Sequence, residues 1–127
     1  RSPSRGLGDV YKRQMKGIAA LMIEMLEAAN AYGVEDEVIA SISKSMDNIP
    51  FTSHLDRLVK GTAIHCKRRA AELKGSIAML EECGRTAEMT TAAKEKMENL
   101  VSYDFAALNV EQPIQGWKDV LDVLMKK

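Results

Sequence analysis

Four residues in the run HCKRRAAELKGSIAML (65–80) have types and spacing that could do chemistry: His65, Arg68, Arg69 and Glu72. On a helix of 3.6 residues per turn, Cys66, Leu73, Ile77 and Leu80 share one apolar stripe, and Arg69 falls inside it. His65 and Glu72 fall at the edge of that stripe, and Arg68 just beyond it. A guanidinium at the boundary of a core is costly unless it is paired. Glu72, Glu24, Glu27 or a bound anion could pair it. Arginine is suited to gripping carboxylate or phosphate through two parallel hydrogen bonds. The pattern therefore suggests an edge that recognises a small anion, built from His65, Arg68 and Arg69. A purely structural reading competes with it. Arg68 and Glu72 are four residues apart, and Arg69 and Glu72 three apart, so either pair can close on one helix face.

Other candidates for chemistry are weaker. His54 and His65 would lie about 16 Å apart on a straight helix, too far to share a metal ion. Cys66 and Cys83 show no C-x-x-C pairing and read as two reduced, partly buried thiols, so no metal site is expected. Lys16 opens an apolar helix but reads as a snorkelling side chain. Gly6 and Gly8 form a GLG that follows no strand, so it is not a nucleotide-binding turn.

The elements that must position the arginine edge are helical. Ile18, Leu21, Met22, Met25, Leu26 and Ala29 recur with helical period, and most other positions of that segment are also apolar. This predicts a buried central helix from Met15, stopped by Gly33. A second helix is predicted over Glu35–Met46, with three acidic residues at its positive end. Pro50 breaks the chain. A long helical stretch over 53–83 follows, with Gly61 and Gly75 as possible bends and Cys83-Gly84 as its stop. A fourth helix is predicted over Thr90–Val101, a loop over Asn109–Gly116, and a last amphipathic helix from Trp117. The fold class is all-α, with about five helices and no sheet.

Composition agrees with one domain of 127 residues rather than two. Basic and acidic residues number 18 each, which gives no global attraction to nucleic acid or to an acidic membrane surface. No apolar run is long enough to cross a membrane.

The residues also resemble a known family. Lys16-Gly17, Glu24, Ala28-Ala29 and Gly33-Val34 in the first helix, then His65, Arg68, Arg69, Ala70 and Glu72, then Glu81, Glu82, Gly84, Met89 and Thr90, follow an ordered pattern. It is similar to the C-terminal helical domain of NAD(P)-dependent β-hydroxyacid dehydrogenases, relatives of 6-phosphogluconate dehydrogenase. The similarity covers about residues 15–100. It implies a substrate-binding and dimerisation domain that follows a Rossmann domain, with the stretch around Arg68 and Arg69 facing the cleft between them. It implies NAD or NADP in the intact enzyme, a small anionic hydroxyacid-type substrate and a homodimer, while the two reduced cysteines suggest a cytoplasmic location. His65, Arg68, Arg69 and Glu72 become the expected substrate-binding residues. The family's catalytic lysine would stand near position 8, where this chain has Gly8, and Lys16 does not replace it. No catalytic residue is therefore assigned, and the chain by itself is expected to bind no cofactor and to be inactive.

Residues 1–14 are expected to be a leader foreign to a domain spanning 15–127. RSPSRGLGDVYKRQ resembles translated sequencing adapter, and its Pro3, Gly6 and Gly8 are poor helix formers, so a loose or non-natively structured segment is expected. The competing functional class is a non-enzymatic helical interaction module, whose apolar first helix would be a partner surface.

Overall fold

A computed structural model describes residues 3–126. Seven α-helices follow one another: α1 (Pro3–Ala31), α2 (Glu35–Met46), α3 (Phe51–Ile64), α4 (Cys66–Glu82), α5 (Glu88–Leu100), α6 (Phe105–Glu111) and α7 (Trp117–Met125). A single 3-10 turn, Val101–Tyr103, links α5 to α6. No strand occurs among the described residues. The all-α class holds, with two more helices than the sequence suggested.

Two of the stops work as their glycines predict. Gly33 and Gly84 both have positive φ, 66° and 73°. After each, the next N–H reaches back to close the preceding turn: Val34 donates to the Ala29 carbonyl and Arg85 to the Leu80 carbonyl, both at 3.0 Å. This left-handed closure satisfies carbonyls that the helix end would orphan.

Three expectations are corrected. The stretch over 53–83 is two helices, because His65 leaves the helical region with φ −108° and ψ 23°. Gly61, Thr62, Ile64 and His65 are all mediocre helix formers, which makes this the weak point of the run. The loop expected over Asn109–Gly116 is confined to 112–116, because a helix not foreseen, α6, takes in its first three positions. Asp104, in the left-handed region at φ 51°, accepts a hydrogen bond from the Ala107 N–H and starts α6. Of the two states expected for the opening segment, loose or non-natively structured, the loose one does not occur, since the described residues from Pro3 onward are helical. Pro3 occupies the first helical position, where its missing N–H costs nothing and its fixed φ fits. Leu7, Val10 and Tyr11 along it remain exposed.

The core sits where the sequence was least legible. Ala63 of α3, Phe105 of α6, Ile114 of the loop before α7 and Val120 of α7 form the buried cluster. Val59, Ile64, Tyr103, Leu108, Val123 and Leu124 pack round it. The helix predicted to be central is instead peripheral. α1 packs on α2 and α5, and Leu21, Met22 and Ile23 remain 51%, 54% and 59% exposed. Helical periodicity measures how apolar a segment is, not how much of the chain is available to cover it.

Candidate functional site

The break at His65 makes the site. Arg69, one turn into α4, reaches back to α3. Its Nη1 donates to the Thr62 hydroxyl at 3.0 Å, and its guanidinium lies against Gly61, where an added Cβ would come within 3.0 Å of Nη2. Residues 61 and 69 would be about 12 Å apart on a straight helix, beyond the span of one arginine side chain. The bend closes that gap. Absence of a side chain at Gly61 leaves room for the guanidinium to lie flat.

Arg69 is half-buried and borders a groove of about 560 Å³ along α3, which reaches His65 and the loop residue Gln115. Among the described residues no carboxylate lies within 4 Å of Arg69, because the acidic groups that could have paired it are engaged elsewhere. Glu72 pairs with Arg68 at 3.5 Å on an exposed face. Glu27 pairs with Arg85. Glu24 is buried and turned towards α5, where it accepts the backbone N–H groups of Met89 and Thr90 at 2.9 and 2.8 Å, and also the Thr90 hydroxyl. Burial pushes the Glu24 carboxyl up, but these hydrogen bonds outweigh it and hold the group below the usual carboxylate range.

The four residues singled out by spacing therefore divide. His65 and Arg69 line the groove. Arg68 and Glu72 form an exposed ion pair outside it, as the structural reading allowed, and such pairs contribute little stability. Other groove residues were not foreseen, Arg57, Lys60 and Gln115 among them. Arg57 and Lys60 share the groove face of α3, and Gln115 enters from the loop before α7. The first two had a signal: positions 57, 60, 61 and 64 fall on one helix face. Gln115 had none, since only tertiary packing brings its loop there.

The groove is held rigid at both ends. His54 is buried on α3, and its Nε2 donates to the Met46 carbonyl at the end of α2, at 2.8 Å. Its Nδ1 must then accept, and Arg57 donates to it at 3.0 Å. At the other side, Asp56 of α3 accepts the Trp117 N–H at the start of α7, at 3.0 Å. Gly116 allows this approach, because an added Cβ would stand 2.7 Å from the Asp56 Cγ. Cys66 and Cys83 are free thiols, the first buried and the second half-buried.

Residues 29–100, more than half of the chain, match the family described as Domain of unknown function (DUF1932), and the chain belongs to that family. The family is the C-terminal helical domain of NAD(P)-binding hydroxyacid dehydrogenases related to 6-phosphogluconate dehydrogenase. No curated protein and no solved structure matches the chain. The matched span contains His65, Arg69 and Thr90, so the groove edge lies within the family's domain, whereas Glu24 stands just before the matched span.

Proposed function

We propose that residues 15–127 form the substrate-side and pairing domain of an NAD(P)-dependent hydroxyacid-type dehydrogenase, with residues 1–14 a leader foreign to it. In this reading the partner Rossmann domain holds the dinucleotide, which supplies hydride transfer. The chain's own residues do not fit that cofactor, since Gly6 and Gly8 lie inside α1 and open no strand-to-helix turn among the described residues. Their task is to bind and orient the anionic end of the substrate. The observation that carries the proposal is Arg69: half-buried, open to a groove, and without a carboxylate partner. A carboxylate of the substrate would supply the missing charge, with His65 beside it as a second polar contact. Arg68 and Glu72, paired with each other outside the groove, take no part in this reading.

Titration with a small hydroxyacid such as 3-hydroxybutyrate, followed by amide chemical shifts, tests this. Saturable shifts centred on residues 61–69 are expected, and Arg69→Ala should weaken binding at least tenfold. Binding indifferent to that change would sink the assignment. The 127-residue chain alone should show no turnover with a nicotinamide cofactor.

Pairing is the second part of the proposal. Leu21, Met22, Ile23 and Leu26 on α1 and Ile39, Ile42 and Met46 on α2 leave an exposed apolar surface of the kind that protein interfaces cover. A dimer is expected in sedimentation velocity at micromolar concentration, whereas a monomer at all concentrations would count against pairing. No described helix is long and apolar enough to cross a membrane. Two free cysteines suit a reducing compartment, so the cytoplasm is the proposed location.

A further inference from the structure

A guanidinium has two edges that can grip a carboxylate. The tip pairs Nη1 with Nη2. The side pairs Nε with Nη2, because Nη1 stands on the same side of the group as Cδ. In Arg69 the tip is partly taken, since Nη1 donates to the Thr62 hydroxyl at 3.0 Å. The side edge keeps both of its donors.

Gly61 governs one end of that side edge. A Cβ at 61 would stand 3.0 Å from Nη2, 3.2 Å from Nη1 and 3.4 Å from Cζ of Arg69. The three nearest atoms that an extra methyl would meet therefore all belong to one guanidinium. Glycine weakens a helix interior relative to alanine. The backbone at 61 does not require it, because the residue lies within α3 and its φ is not positive. Gly17 and Gly75, also inside helices, have nothing within 4 Å of the same position. At 61 alone among these three does the missing side chain leave space that another side chain uses. An arginine held in this way has already lost much of its rotamer freedom, so less remains to be lost when it grips an anion.

We propose that Thr62 and Gly61 are positioning residues for anion binding. Thr62 anchors Nη1, the bare face of Gly61 seats Nη2, and together they hold the Nε–Nη2 edge ready for a carboxylate in the groove that Arg69 lines. This rests on the anion site proposed for Arg69 and adds how its geometry is set. Each residue acts through Arg69, and at 61 helix stability is given up for the place of a distant side chain.

The test is titration of the whole chain with 3-hydroxybutyrate, read by calorimetry and by the Arg69 Nε–H signal in 15N-edited spectra. In wild type that signal should shift and saturate. Gly61→Ala and Thr62→Val should each raise Kd about fivefold or more, while Tm stays within about 3 °C of wild type, since alanine is the better helix former and valine keeps the branched shape of threonine. Thr62→Ser, which keeps the acceptor, should bind as wild type does. Arg69→Lys, which has no flat edge, should bind no better than Arg69→Ala. Wild-type Kd in both Gly61→Ala and Thr62→Val would overturn the positioning role and leave the Arg69 site standing. So would weaker binding matched by a Tm loss of roughly 10 °C, the mark of a merely structural role. Failure of wild type to bind the acid would overturn both.

Discussion

Replacing Glu24 by alanine is expected to lower the stability of the domain by about 3 kcal/mol, read as a fall in Tm of roughly 10 °C. The carboxylate is 5% exposed and joins α1 to the first turn of α5, 65 residues away. Its removal leaves the N–H groups of Met89 and Thr90 without their partner at a helix start, where donors are already in excess. Glu24→Gln should recover only part of the loss. The amide keeps one accepting oxygen but turns two N–H donors towards a site composed of donors.

The same residue makes stability depend on pH in a definite sense. Its carboxyl is held below the usual range in the fold. As pH falls, the unfolded chain therefore takes up the proton first, at about 4.3, and the fold loses its advantage as pH continues down through the native value. Above that window the contribution is present in full. Denaturant titrations of wild type and Glu24→Gln at pH 7 and pH 3 should show a gap that narrows at the lower pH. A gap of equal size at both would mean that the charge on Glu24 is not what ties α5.

Truncation of Phe105 to alanine should be comparably damaging, about 3–5 kcal/mol. Its side chain is 1% exposed and fills the space between α3, α6 and α7, with the Tyr103 ring 5.7 Å away, centre to centre. The cavity cannot collapse without moving Ile114, which sets the position of the Gln115 loop. The expected signature is a large drop in denaturation midpoint together with looser hydrogen exchange over 112–120. A loss below about 1 kcal/mol would show that this cluster is not the stabilising core. Phe105→Leu should cost much less, since it keeps most of the volume.

Both large effects lie where local pattern says least. Phe105 belongs to a short helix begun by an aspartate in a left-handed conformation, and a helix of seven residues gives little periodicity to read. Glu24 was visible as an acidic position in an apolar helix and as part of a family resemblance. Its partners Met89 and Thr90 were visible as part of the same resemblance. That they meet is information held by neither segment alone.

Local chemistry determined a good deal by itself. Helix-forming composition and the scarcity of β-branched and aromatic residues made the fold all-α. Gly33 and Gly84 marked two helix ends, because left-handed closure there favours a residue without a side chain. Arg69 stood out as a charge inside an apolar stripe, and the resemblance over residues 15–100 pointed to the domain family. The tertiary structure decided the rest. It bent the chain at His65 so that Arg69 could lie on Gly61, drew Glu24, Glu27 and Glu72 to other partners, and placed Arg57, Lys60 and Gln115 on the same groove. It also left the most apolar helix at the edge. The division has one physical cause: propensity and periodicity act over a few residues, whereas the partner of a buried charge and the cover of an apolar face depend on which distant segments packing brings together.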